Sequence, residues 1–366
     1  MWRNCATPSP LCPHSPRATR TPSDPLSPLP YPLPMNRFLD LADFSRDQVV
    51  DLLDLARSLQ QRPEPHALAG KILGLLFMNP SLRTLSSFQA GMLRLGGASF
   101  VVTPGQGTWQ VETRTGAVMS GGAAEHVREA IPVLASYCDA LGLRAFAEGK
   151  DLATDLAETP FQLMASLCSK PFINLESAIN HPCQALADWK TMDDLDVPRS
   201  GKFVLSWVYH PRALPLAVPA ATLHMAAQRG MEVVVLRPDG YALPEQIMAK
   251  ARAAAASSGG RVTETSDRAA ALAGAHALYA KEWGAPSCYG DTDAEAALRR
   301  PLSDWRVGES WFDAARRDCH FMHCLPVRRN VAVADEVLDG PRSRVIQEAA
   351  NRMVVQMAVL YRLLKG

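Results

Sequence analysis

Arg83 stands between Leu82 and Thr84 in the stretch "NPSLRTLSSFQAGMLRLGG", directly after the apolar run "ILGLLFM". A chain that leaves a buried strand through Ser-Leu-Arg-Thr and enters a helix sets backbone N–H groups and two hydroxyls at a helix N-terminus. The dipole there favours an anion. The guanidinium adds a fork that can grip phosphate or carboxylate oxygens in pairs. The plainer reading is a capped helix start with a solvated arginine, and this stretch alone leaves both open.

Three further stretches carry groups of the same kind. "GLRAF" puts Arg144 at a strand end. "HPCQ" puts His181 before a proline, which restricts its backbone and lets the ring be aimed, with Gln184 following on the next helix. "HCLPVRR" follows another strand and places Arg328 just beyond Pro326. Taken singly, each also reads as a surface arginine or a satisfied histidine. "CHFMHC" holds two histidines and two cysteines, but side chains alternate along a strand, so His320 and His323 point to opposite faces. Four ligands cannot converge tetrahedrally from such a run, and no metal is expected. Cys324 reads as a packed thiol rather than a nucleophile. No Ser-His-Asp order, Walker loop or Rossmann glycine fingerprint is readable, and no cofactor is expected. The chemistry on offer is anion binding.

These side chains need elements to hold them. Ser45 caps a helix in "SRDQVVDLLDLARSLQQ", where Val49, Leu52, Leu53 and Leu55 recur at helical spacing. The strand "GKILGLLFM" follows, then a helix with Leu85, Phe88, Met92 and Leu95 on one face. "ASFVVTP", "ALGLRAF" and "PFINL" read as strands separated by the helices "AEHVREAIPVLASYC" and "TPFQLMASLCS". After "HPCQALADWKTMDDL" a second series begins. It runs through the strand "GKFVLSWV", the helix "PLAVPAATLHMAAQRG", the strand "MEVVVLRP" and the helix "PEQIMAKARAAAASSGG" to the shorter strands "HALYAK" and "CHFMHC". Such alternation predicts mostly parallel sheets covered on both faces. The expected α/β fold is two doubly wound parallel-sheet domains joined at a central cleft. The last apolar helix, "RMVVQMAVLYRLLKG", is expected to return to the first domain. The expected boundaries are an extension at 1–34, a first domain at 35–184, a second at 185–340 and the returning helix at 341–366. The cleft is the default ligand site.

The totals agree with a two-domain α/β chain of this kind. The 366 residues suffice for two α/β domains of ordinary size. With 38 basic and 37 acidic residues there is no electrostatic footprint for nucleic acid or for an anionic membrane surface. The apolar runs are strand-sized, far short of a membrane span. Eight scattered cysteines without a C-x-x-C pair fit a reducing cytoplasm. Residues 1–34 are crowded with proline and serine and lack the apolar core of a secretory signal. They read as a disordered tail or a start codon placed too early, with Met35 as the working beginning.

In this order, the S-L-R-T turn, the arginine of "GLRAF", "HPCQ" and "HCLPVRR" resemble the aspartate and ornithine carbamoyltransferase family, over residues 36–366. The resemblance implies transfer of the carbamoyl group of carbamoyl phosphate to an amine. It also implies roles. Ser81, Arg83 and Thr84, with the Leu82 backbone N–H, would cradle the phosphate. Arg144, His181 and Gln184 would hold the carbamoyl group, and Arg328 would close on the anion from the second domain. Arg352 in "EAANR" would reach the same pocket. Arg144, His181 and Thr84 are donors suited to the oxyanion that develops, and the backbone carbonyls of Cys324 and Leu325 would orient the attacking amine. Leu85 departs from the pattern, since many relatives carry a second arginine there. Its loss bears on phosphate affinity rather than on the chemistry.

Within the family, "HCLP" resembles the ornithine enzymes, whereas aspartate enzymes typically show "HPLP". A free α-amino group would need a carboxylate followed by an S-M-G loop, but "YAKEWGAPSCYGD" offers Lys281, which suits a carboxylate-bearing acylated substrate. "GTWQVETRTGAVMSGG" resembles the acylornithine branch, in which Trp109 would reach into a neighbouring subunit's carbamoyl phosphate site. That implies a homo-oligomer, a trimer with shared active sites. Glu176, His210 and Lys281, with Cys324, Leu325 and Arg328, would contact the N-acylornithine. The acyl group is read as succinyl before acetyl. Acetylornithine enzymes carry a lysine that becomes carboxylated and a glutamate before the "EH" pair, where this chain has Ala332 and Ala124. The spacing from Glu176 to His181 also has one residue more than the acetyl type. Acetylornithine, plain ornithine and a non-catalytic ligand-sensing relative are the alternatives.

Overall fold

The structure, a computed structural model, describes residues 35–365. The expectation for residues 1–34 lies outside the described residues. The first half of the chain contributes β1 (Arg37–Phe38), α1 (Arg46–Gln61), β2 (Ile72–Phe77), α2 (Leu82–Arg94) and β3 (Ala98–Val102). A short ribbon, β4 (Val111–Glu112) and β5 (Glu125–His126), leads into α3 (Val127–Ser136) and β6 (Ala140–Arg144). Then come α4 (Leu152–Leu156), α5 (Thr159–Leu167) and β7 (Phe172–Glu176). These strands form a parallel sheet of order β1-β7-β6-β2-β3, with β4 and β5 apart from it.

α6 (Pro182–Asp194) leads to the second half: β8 (Lys202–Ser206), α7 (Ala217–Arg229), β9 (Glu232–Leu236), α8 (Glu245–Ser258), β10 (Arg261–Thr265) and α9 (Arg268–Leu272). β11 (Ala277–Ala280), α10 (Thr292–Arg299), β12 (His320–Met322) and α11 (Asp335–Leu338) complete it. Its sheet is also parallel, ordered β10-β9-β8-β11-β12. The last helix, α12 (Val345–Leu364), packs against α1, α2 and α6, so the chain does return to its first half.

Local chemistry accounts for the elements. Ser45 and Gln48 form a reciprocal capping box at the start of α1, which buries Val49, Leu52 and Leu53. The central strands β2, β6 and β7 are almost wholly buried, as parallel strands under helices must be. On β6, a Cβ at Gly142 would lie 2.8 Å from Leu175, so glycine lets β7 approach. α7 stops at Gly230, which takes φ 96°. α12 buries Val354, Val355, Met357, Ala358, Val359, Leu360, Leu363 and Leu364. Each large apolar side chain so buried contributes roughly 1.5–3 kcal/mol.

The structure adds to the sequence reading at several places. β10, "RVTET", is an edge strand with mostly exposed or half-exposed residues, so it lacks an apolar run. α12 begins at Val345 rather than Arg352, because the buried polar residues Glu348, Asn351 and Arg352 interrupt its apolar stripe. Among the described residues no helix is long and apolar enough to cross a membrane.

Candidate active site

In each sheet the candidate residues follow the carboxyl ends of strands near the point where strand order reverses, which is where open α/β sheets bind ligands. In the first sheet that point lies between β2 and β6. Ser81 caps α2 directly after β2, and its Oγ accepts the Thr84 N–H at 3.2 Å. Arg83 is half-buried, while Thr84 is fully buried and its Oγ1 accepts from Arg352 Nη2 at 2.5 Å. Arg144 ends β6 and Glu176 ends β7. A register shift between Leu143 and Arg144 sets those two opposite each other, and they form a buried ion pair. His181 Nε2 lies 3.3 Å from the same Glu176 carboxylate. His181 is presented by the 177–180 turn, which the buried Glu158 holds by accepting from the Ser177 hydroxyl and from the Ile179 N–H at 3.0 Å.

The electrostatics of this cluster are lopsided. Burial, then the Arg352, Arg144 and Arg83 guanidiniums, push the His181 imidazole well below its ordinary range, so it is neutral at pH 7. Burial and mutual repulsion also lower Arg83 and Arg352. Arg144 is paired with Glu176, while Arg83 and Arg352 make no ion pair among the described residues. The Nε atoms of Arg83, Arg144 and Arg352, His181 Nδ1 and Gln184 Oε1 are buried without a protein partner. Such an excess of positive charge, with donors left over, is built for an anion.

In the second sheet the reversal lies between β8 and β11. His210 follows β8, and its Nε2 accepts from Arg328 Nε at 2.9 Å. Arg299 braces this segment, donating to the His210 carbonyl at 3.3 Å and to the Trp283 carbonyl at 3.1 Å. Lys281 follows β11, is buried, and pairs with Glu282 at 3.1 Å. Burial alone would lower its pKa, but Glu282, with Cys324 and Glu176, more than offsets this, so the pKa is raised and the ammonium stays charged. Beyond β12, His323 Nδ1 accepts the Leu325 N–H at 2.9 Å, and Leu325 takes the left-handed φ of 56°. Burial pushes the Cys324 thiol up to about 12, so it stays protonated at neutral pH.

The remaining residues lie farther out. Trp109 is 60% exposed, and its indole N–H donates to Glu125 at 2.8 Å beside an apolar cavity of about 440 Å³. Ala124 is exposed on the same segment, and Leu82 is exposed at the start of α2. Ala332 is buried behind the Arg328 turn, its N–H donating to the Arg328 carbonyl at 2.9 Å. Asp188, Glu282 and Glu348 escaped the sequence reading. Glu348 sits in "EAANR", the stretch that had drawn notice only for its arginine.

The neutral imidazoles carry a pH prediction. His181, His224 and His323 are buried with lowered pKa, His224 down to about 4, chiefly through burial. Unfolded, each would protonate near 6.5. Their contribution to stability is complete above that pH and is lost as pH falls through the folded values, by up to about 1.4 kcal/mol per unit for each group. Asp188, raised by burial, and Glu348, raised by burial and by repulsion from Asp188, act in the opposite sense, with fewer protons at stake. The melting temperature should therefore fall between pH 7 and pH 5 in calorimetry. A flat or rising profile would contradict this balance.

Comparison with known proteins places this geometry. Residues 36–194 match the family model "Aspartate/ornithine carbamoyltransferase, carbamoyl-P binding domain", and residues 218–363 match "Aspartate/ornithine carbamoyltransferase, Asp/Orn binding domain". The chain belongs to the aspartate/ornithine carbamoyltransferase family, and it is a carbamoyltransferase. It is 38% identical over 330 residues to the N-acetylornithine carbamoyltransferase of Xanthomonas campestris pv. campestris, covering 89% of this chain and 97% of that one. It is 36% identical over 296 residues to the N-succinylornithine carbamoyltransferase of Bacteroides thetaiotaomicron, covering 81% and 88%. Among solved structures, acetylornithine transcarbamylase complexed with acetylcitrulline superposes with a TM-score of 0.87 at 36% identity, covering 90% of this chain and 99% of that one. A glutamate-to-alanine mutant of N-acetyl-L-ornithine transcarbamylase, complexed with carbamyl phosphate and N-succinyl-L-norvaline, gives 0.87 at 37% identity, covering 90% and 100%.

Proposed function

We propose that this chain transfers the carbamoyl group of carbamoyl phosphate to the δ-amino group of an Nα-acyl-L-ornithine, giving N-acyl-L-citrulline and phosphate in arginine biosynthesis. The observation that carries this reading is the cluster of Arg83, Arg144, Arg352 and neutral His181, in which only Arg144 has a carboxylate ion pair. The phosphate lies on Ser81, the Leu82 N–H, Arg83 and Thr84, with Arg328 closing from the second half and Trp109 supplied by a neighbouring subunit. Arg144, His181 and Gln184 hold the carbamoyl group. Lys281, His210 and Glu176 receive the acylated amino acid, with the Cys324 and Leu325 carbonyls directing its δ-amine.

The amine lone pair attacks the carbamoyl carbon and a C–N bond forms. Negative charge gathers on the carbamoyl oxygen, where Arg144, His181 and Thr84 stabilise it. The C–O bond to phosphate then breaks, and the proton lost by the amine leaves with the phosphate. Oriented donors of this type each contribute about 2.7–4 kcal/mol to a transition state of this kind. A neutral His181 adds no fourth positive charge beside the anion, and its single N–H, which faces Glu176 through Nε2, is the one that would turn to the carbamoyl oxygen.

For the acyl group we favour succinyl. Ala124 lacks the negative charge that a glutamate would set against a succinyl carboxylate. A glutamate-to-alanine mutant of a structural neighbour, solved with N-succinyl-L-norvaline, points the same way. N-acetylornithine is the second reading, favoured by the longer and slightly closer match to the Xanthomonas enzyme. Measuring kcat/KM for the two substrates tests this. Succinylornithine is expected to be preferred, and Ala124→Glu should shift preference toward acetylornithine. A preference for acetylornithine that this change leaves unmoved would reverse the assignment.

A further inference from the structure

Glu348, on α12, is 1% exposed, and its two oxygens serve different halves of the site. Oε1 accepts from Gln184 Nε2 at 3.0 Å, and Oε2 accepts the His323 backbone N–H at 2.9 Å. Gln184 Nε2 donates its second hydrogen to Asp188 Oδ1 at 2.8 Å. Both amide hydrogens are thus committed, and Gln184 Oε1 is left buried with no protein partner. The reversed amide would set a carbonyl oxygen against two carboxyl groups, so the acids decide which end faces the site. Burial raises Asp188, to about 6, and burial with repulsion from Asp188 raises Glu348, as expected for a pair that titrates as a unit. Thr222 Oγ1 donates to Asp188 Oδ2 at 3.2 Å and holds the pair from α7.

On its other side Glu348 anchors a constrained turn. His323, tied through its N–H, accepts from Leu325, which sits at φ 56°. A side chain of that size in the left-handed region needs such support. The carbonyls at Cys324 and Leu325 are the ones that the proposed function gives to the amine.

We propose that Glu348, assisted by Asp188, is a positioning residue of the carbamoyl transfer: it turns the Gln184 amide oxygen toward the carbamoyl N–H groups and ties that half-site to the His323–Leu325 turn that receives the amine. This rests on the carbamoyl-transfer reading of the site.

The test compares two anions. Glu348→Gln keeps the size of the side chain, but its new NH₂ must face either Gln184 Nε2 or the His323 N–H, so one contact is lost. By calorimetry its affinity for carbamoyl phosphate is expected to fall roughly 3- to 10-fold, the range for one hydrogen bond between neutral groups. Affinity for inorganic phosphate should stay within about twofold, because Gln184 addresses only the carbamoyl end. The KM for the acylornithine should rise as well. Asp188→Asn leaves the His323 contact in place, so it should weaken carbamoyl phosphate and leave the acylornithine KM unchanged. Equal weakening of both anions, or of neither, in these two variants would overturn the proposal. A wild-type chain that binds carbamoyl phosphate no better than inorganic phosphate would overturn the functional reading and this proposal with it, so the wild-type measurement separates the two failures.

Discussion

Arg83→Ala is expected to cut kcat/KM for carbamoyl phosphate by two or more orders of magnitude while leaving the melting temperature within a few degrees of wild type. Losing charge-assisted hydrogen bonds costs about 1.5–3 kcal/mol in ground-state binding alone, or roughly 10- to 150-fold. Charge that builds on the departing phosphate adds to that. The fold should tolerate the change, because the side chain is half-buried and its Nε has no protein partner. Removing it also relieves repulsion with Arg144, which already lowers its pKa. Arg83→Lys keeps the charge and loses the planar fork, so it should recover only part of the activity. Wild-type kinetics in the alanine variant would remove the S-L-R-T turn from the mechanism.

The second large effect concerns assembly. Trp109 is a large aromatic residue left 60% exposed on the segment between β3 and β5, which also exposes Val118 and Met119. If it completes a neighbour's site, Trp109→Ala and Arg328→Ala chains should each be almost inactive alone. Unfolded and refolded together, they should regain activity. In a random closed ring, roughly a quarter of the sites combine an intact Arg328 from one chain with an intact Trp109 from the next. No recovery on mixing, or a fully active monomer in light scattering, would end the shared-site account.

Much of this was legible before any coordinates. The alternation of strands and helices announced two parallel sheets, because buried parallel strands such as "ILGLLF" are apolar throughout and their caps are chemically distinctive. The geometry brings Arg83, Arg144, His181, Gln184 and Arg352 together; the first four were picked out because each lies at a strand end or near a helix start, and Arg352 only because "EAANR" resembles the family pattern. What stayed hidden has physical reasons. β10 pairs through its backbone at a sheet edge, so its side chains carry little signal. Glu348 and Asp188 look like ordinary solvent-facing acids in a helix, since burial of a carboxyl depends on what packs over it. Only the meeting of α6, α12 and the turn after β12 makes them part of the site. Ala332 illustrates the converse. It drew attention by what it is not, and its backbone supports the Arg328 turn from behind.

The central claim is carbamoyl transfer to an acylated ornithine, and initial rates of phosphate release with carbamoyl phosphate and a panel of ornithine, N-acetylornithine and N-succinylornithine test it most directly. Lys281 is buried and paired with Glu282, and in the proposed site its ammonium would meet a substrate α-carboxylate and oppose a free α-ammonium. The account predicts turnover with the acylated substrates, yielding the matching N-acylcitrulline, and a rate with free ornithine lower by at least about tenfold, the effect of a like-charge contact of ~1.4 kcal/mol. Free ornithine as the best substrate, or no turnover with any of the three, would contradict it.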